Sequence, residues 1–191
     1  MSDGVAAAMG TDAFWAGLER LKTEHGISGK ALVTFMSDGV AAAMGTDAFW
    51  AGLTRLRTEH GISGKALVTF MSNSVAAAMG TDSFWPALDR LKAEHGISGK
   101  ALVTFMCNSV AAAMGTDDFW TALDRLKAEY NITGKALVTF MSGGVAAAMG
   151  TDAFWTGLER LKAEHDITGK ALVTFMCNSV AAAMGTEAFW T

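Results

Sequence analysis

The amino-acid sequence predicts an all-α fold, an α-solenoid of tandem 35-residue helix-turn-helix repeats, on three observations. Nearly the same letters restart at Met1, Met36, Met71, Met106, Met141 and Met176, which gives repeats 1–35, 36–70, 71–105, 106–140 and 141–175 and a partial copy 176–191 in a single array, 1–191. A fixed period between about 20 and 50 residues marks a stack of supersecondary units, each burying an apolar face against its neighbours. Within each copy, two stretches of helical 3,4 apolar spacing flank a Gly-Thr step. Finally, Gly45 and Pro86 stand where a competing β/α parse would need uninterrupted helix.

The first stretch runs from Ile27 to Gly45. Ser28, replaced later by Thr133 and Thr168, suits an N-cap, and Gly45 suits the position just past a helix end. Leu32, Phe35, Met36, Val40, Ala43 and Met44 share one face with Val33 at its margin, while Thr34, Ser37, Asp38, Ala41 and Ala42 give a back of short side chains. Such a helix fits the inner, concave row of a solenoid. The second stretch, Thr46 to Gly61, begins with Thr46 or Asp47 as a cap and ends on Gly61. Phe49, Leu53, Leu56 and His60 share its buried face, Trp50 flanks it, and charges fill the other side, so it reads as the outer helix. In the first copy Arg20 and Glu24 are placed for an i,i+4 ion pair.

The rival parse makes Ala31 to Met36 a buried strand and runs one helix from Val40 to His60. It would bury Pro86 mid-helix, where proline removes a hydrogen bond and costs about 3 kcal/mol. With paired helices, Pro86 sits only a turn beyond the cap.

The hydrophobic share is 51%, yet no apolar run approaches the roughly 18 residues of a membrane span, so no membrane insertion is expected. The N-terminus enters directly into the repeat, with no targeting signal visible. Lys and Arg number 15 against 19 Asp and Glu, a formal charge of −4, with the signs mixed along each copy. That balance counts against a protein gripping phosphates by charge alone. Cys107 and Cys177 stand where other copies have serine, two copies apart. With about 10 Å between packed helices, they lie beyond the roughly 7 Å disulfide limit. They read as free thiols, which favours an intracellular reducing compartment and leaves the localisation otherwise open.

The recurring Phe-Trp pair, as at Phe14-Trp15 and Phe119-Trp120, reads as core and as filling between copies in preference to a stacking platform. Met36 and Met44, eight residues apart on one face, read as core. His25, His60, His95 and His165 end the outer helices, where the negative helix terminus favours a cation, and Tyr130 takes the place in the fourth copy. HxxxH and CxxC spacings, nucleophile-base pairings and phosphate loops are absent from the sequence, so no enzyme, cofactor or metal is expected.

One position pair switches while its surroundings recur: Asp3-Gly4, Asp38-Gly39, Asn73-Ser74, Asn108-Ser109, Gly143-Gly144 and Asn178-Ser179. A variable small pair once per copy on the concave row is how modular binders address successive ligand units, so these residues are the candidate binding set. The bland alternative is drift in a duplicated gene, since Ala48, Ser83 and Asp118 also vary.

The segment from Leu91 to Ser109, LKAEHGISGKALVTFMCNS, resembles the junction of two transcription activator-like effector repeats. That family shows a leucine before His-Gly, then Leu or Ile, Ser or Thr, paired aliphatics, and a variable pair such as Asn-Ser. The resemblance covers a little over half of each copy. It implies a right-handed superhelix reading one DNA base per repeat through the second residue of the pair: Gly39, Ser74, Ser109, Gly144 and Ser179. The family's Gly-Gly and Lys-Gln after the pair are here Val40-Ala41-Ala42-Ala43, and Phe-Trp has no counterpart. Lys30, Lys65, Lys100, Lys135 and Lys170 could supply one phosphate contact per copy, offset by acidic neighbours. The expectation is therefore a right-handed, non-enzymatic scaffold whose partner is a protein, with DNA as the alternative and end-to-end or homo-oligomeric association open.

Overall fold

The computed structural model describes residues 5, 8–36, 40–71, 75, 78–106, 110–142, 145–176, 180–184, 186 and 189–190. Among them every regular element is a helix, with no strand, so the buried strand of the β/α parse is not found; where one helix was expected from Ile27 to Gly45, the described residues give two, Lys30–Phe35 and Val40–Ala43. The outer helices span Asp12–His25, Asp47–His60, Phe84–His95, Asp117–Tyr130 and Asp152–His165. Inner helices span Lys30–Phe35, Gly64–Phe70, Gly99–Met106, Gly134–Ser142 and Gly169–Met176. Short helices at Val40–Ala43, Val110–Ala113, Val145–Ala148 and Val180–Ala183 lead back to the outer row.

Threonine makes the corner between short and outer helix. The Thr46 hydroxyl donates to the Ala43 carbonyl at 2.8 Å and accepts from the Phe49 N–H at 3.3 Å, satisfying one helix end and starting the next. Thr11, Thr116 and Thr151 do the same. In the third copy Pro86 has no N–H to give, the helix starts later at Phe84, and Ser83 in the cap position makes no side-chain bond. Thr81 still donates to Ala78 at 2.7 Å.

At the far end, Gly61 takes φ 67°, and the N–H groups of Gly61 and Ile62 both return to the Leu56 carbonyl. Asn131 and Asp166 fill the same left-handed position at φ 53°, where a Cβ is less welcome. Gly45 was expected to play this part for the preceding helix, but positive φ occurs elsewhere, at the glycines that end the outer helices and at those that precede the inner lysines. The chain turns at Gly45 through the threonine corner instead. Ser28 was expected to cap the inner helix, but the N-cap of Lys30–Phe35 is Gly29, whose carbonyl accepts from Leu32; Ser63, the equivalent of Ser28 one copy on, does cap Gly64–Phe70, through its carbonyl to Leu67 and with no side-chain bond.

Consecutive inner helices pack on one another along the chain. Leu67 and Phe70 of these helices, and Met71 and Val75 after them, have no exposed surface, and Phe35 and Phe49 meet edge to face at 6.4 Å, joining inner to outer row. Val33 is 74% exposed, whereas Val68, Val103, Val138 and Val173, each with an inner helix before it, are buried. Ala41, expected on the open back, is buried as well. Among the described residues no helix is long and apolar enough to cross a membrane.

Candidate functional site

All twelve residues of the variable pairs lie outside the described residues: Asp3, Gly4, Asp38, Gly39, Asn73, Ser74, Asn108, Ser109, Gly143, Gly144, Asn178 and Ser179. Their flanks are described. In each full copy after the first start, the pair stands between an inner helix and the short helix or valine that follows it, so the pairs occupy the same joint of successive units. Cys107 and Cys177 lie outside the described residues too.

The inner helix leading to that joint has a polar exposed stripe. Lys30, Lys65, Lys100, Lys135 and Lys170 are all exposed at its first turn, and Thr34, Thr69, Thr104, Thr139 and Thr174 are exposed one turn on. Each threonine hydroxyl donates to the carbonyl of its lysine at 3.0 to 3.2 Å. In sequence the first residue of the pair comes four positions later. From Gly61 to Thr81 the sole charged residue is Lys65, from Gly96 to Thr116 it is Lys100, and from Asn131 to Thr151 it is Lys135. Asp38 shares a span with Lys30 and Asp166 stands four residues before Lys170; between the bounds just given for Lys65, Lys100 and Lys135 no acid occurs.

On the outer helices charges are engaged in the seams between copies. Arg55 donates to Glu59 at 2.7 Å on its own helix and to Asp89 of the next at 2.8 Å, and its guanidinium lies 4.8 Å from the Trp85 ring centre. Arg90 repeats this with Glu94, Asp124 and Trp120, and Arg125 with Glu129, Glu159 and Trp155. In the first seam Arg20 reaches Glu24 and Trp50, but Thr54 stands where the later copies have an acid. A second link runs backward: Arg57, Lys92, Lys127 and Lys162 donate to the carbonyls of Glu24, Glu59, Glu94 and Glu129 in the preceding helix end, at 2.6 to 3.2 Å.

The tryptophans fill these seams as expected. Trp50 is 8% exposed and Trp120 9%, their indole N–H groups donating to the Met44 and Met114 carbonyls at 2.8 and 2.9 Å. Trp15, in the first copy, is 53% exposed. Space for the indole comes from the small residue opposite: a Cβ on Gly17 or Gly52 would overlap the methyl of Met44 or Met79 and crowd Trp50 or Trp85. A shallow pocket of about 270 Å³ at Arg125 and Trp155, and one of about 250 Å³ at Arg20 and Trp50, are lined by seam residues.

The histidines end the outer helices, with His60 on the buried face, as expected; their charge is what differs. His25, His60 and His95 are buried in the seams, and burial pushes each imidazole below its ordinary value of 6.5, toward the neutral form. The negative helix end is instead met by the lysine or arginine of the next copy. No ring nitrogen of the three has a hydrogen-bond partner, nor does the Tyr130 hydroxyl, raised in pKa by burial. His60 Nε2 faces Asp89 Oδ1 at 3.6 Å and His95 Nε2 faces Asp124 Oδ1 at 3.9 Å. Sequence reading missed these clusters because their members are 29 residues apart; the signal was that an acid follows each Glu-His at that fixed distance in two copies alone.

Comparison with protein-family models, with curated proteins and with solved structures finds no match to this chain. Function therefore rests on the chemistry of the two rows.

Proposed function

We propose that the chain is a non-enzymatic, right-handed α-solenoid that binds DNA along its inner-helix row, one repeat to one unit of the ligand, with the variable pair addressing the base. The observation that carries this reading is the separation of charge. Glu59, Asp89, Glu94 and Asp124 of the outer helices are held by arginines within the seams, and the exposed first-turn acids such as Asp47 and Asp117 stand on the outer helices, while the inner row presents an exposed lysine in each full repeat span with few or no acids beside it. A formal charge of −4 therefore describes the sum over the molecule and not the surface that a phosphate chain would meet.

A lysine and a threonine stand one turn apart on each inner helix, and the pair follows four positions later in sequence, so a phosphate contact and a base contact would recur once per unit. The resemblance to effector repeats supports the same assignment, since the second member of the pair is the base reader there. The experiment is a titration of labelled duplexes at about 50 mM salt, first of mixed sequence and then of sequences differing at single positions. Replacing Asn73-Ser74 and Asn108-Ser109 by Asp-Gly should change base preference at two adjacent positions with helical content unaltered. Absence of binding to any duplex or single strand removes the DNA reading and returns the row to a protein-binding scaffold.

A further inference from the structure

We infer that the second and third seams are each a site for a zinc-type divalent ion, built from a Glu-His pair ending one outer helix and an aspartate of the next: Glu59, His60 and Asp89, and Glu94, His95 and Asp124. The donor atoms of each trio lie within 4.8 Å of one another. Two ligand atoms bound to one tetrahedral zinc, each at about 2.0–2.1 Å, stand roughly 3.4 Å apart. His60 Nε2 and Asp89 Oδ1 are already 3.6 Å apart, and His95 Nε2 and Asp124 Oδ1 are 3.9 Å apart, so closure needs only small side-chain shifts.

Two independent observations point to a ligand. The His60 and His95 side chains have no exposed surface, yet neither ring nitrogen of either makes a hydrogen bond. Buried polar atoms are ordinarily paired, and a metal bond from Nε2, with the proton kept on Nδ1, would supply the missing partner. The carboxylates are also aimed. Arg55 holds Glu59 Oε2 and Asp89 Oδ2, leaving Glu59 Oε1 and Asp89 Oδ1 for the ion, and Arg90 holds Glu94 Oε2 and Asp124 Oδ2 in the same way. Outer contacts of this kind fix the orientation of metal-binding carboxylates.

One imidazole and two carboxylates suit zinc or cobalt better than magnesium or calcium, and leave a fourth position for water. The neighbouring seams lack one member each: the first has Glu24 and His25 but Thr54, and the fourth has Glu129 and Glu159 but Tyr130. Ion binding would clamp consecutive outer helices in the middle of the array.

The test is a Co²⁺ titration of the full chain carrying Cys107→Ser and Cys177→Ser, which removes the thiols and restores the serine of the other copies. Visible absorption reports the coordination, and Zn²⁺ competes it away. Two ions per chain are expected, one after His60→Gln, and three after Thr54→Asp, which completes the trio with Glu24 and His25. Circular dichroism confirms that helical content is kept. The Thr54→Asp chain gains a site without removing a buried group, so it decides the matter even where His60→Gln perturbs folding. No saturable binding, a stoichiometry indifferent to His60→Gln in a chain of unchanged helicity, or no third ion after Thr54→Asp would overturn the assignment.

Discussion

Outer and inner helices of the same copy use their charges in opposite ways. On the outer helix, Arg90 is bonded to Glu94 and Asp124 and stacked on Trp120, so its charge serves the contact between copies. On the inner helix, Lys100 is exposed with no other charged residue from Gly96 to Thr116. The difference teaches that net charge is a poor guide to binding in a repeat array. What counts is which row carries the charges that the stacking does not consume.

If seams hold the fold and the inner stripe does not, damage to the two should differ most at tryptophan. Trp120→Ala should cost about 3–5 kcal/mol in urea unfolding, whereas Thr104→Ala on the inner stripe should stay within about 0.5 kcal/mol. Equal losses would break the comparison.

Acid should act on the seams next. His25, His60 and His95 have folded pKa values held below 6.5 by burial, so the unfolded chain binds protons first as pH falls. Their stabilisation is complete above about 6.5 and is lost as pH falls from there through the lowered folded values, by up to roughly 1.4 kcal/mol per histidine per pH unit. Around His60, Asp89 and Glu59 oppose the lowering while Lys92 and Arg55 add to it. Urea midpoints measured at pH 7.5 and 5.5 should separate, and His60→Gln should narrow the gap.

Smaller effects sharpen the contrast between seams. Arg90→Ala, losing Trp120, Glu94 and Asp124 at an exposed site, should cost about 1–2 kcal/mol; Arg20→Ala should cost less, because Thr54 offers it no acid. Gly52→Ala should shift stability by less than about 1 kcal/mol, helix propensity offsetting the displaced Met79 methyl. Ala87 and Ala122 already occupy that position in the third and fourth copies.

Much of this arrangement was legible in the letters. Local chemistry was clearest: Thr46 as cap, Gly61 as terminator, Phe49 and Leu53 as core and Trp50 as seam filler all follow from spacing and side-chain type. The role of Gly45 was misplaced because a glycine after an apolar run suits both a left-handed end and a tight threonine corner, and only the hydrogen bonds of Thr46 distinguish them. The Arg55, Asp89 and His60 cluster was hidden for a different reason. Its members meet only when two copies stack, and a single copy inspected alone gives Arg55 just Glu59 as a partner. The pairs such as Asn73-Ser74 stand out by their variation alone, and variation names no ligand.

The most direct measurement of the central claim is the salt dependence of duplex binding by the intact chain and by a chain with Lys30, Lys65, Lys100, Lys135 and Lys170 changed to Gln. Five phosphate contacts predict a slope of log affinity against log salt near about −4.5, at roughly −0.9 per contact, and near zero for the substituted chain. A slope unchanged by removing the lysine row, or no duplex binding by the intact chain, would contradict the account.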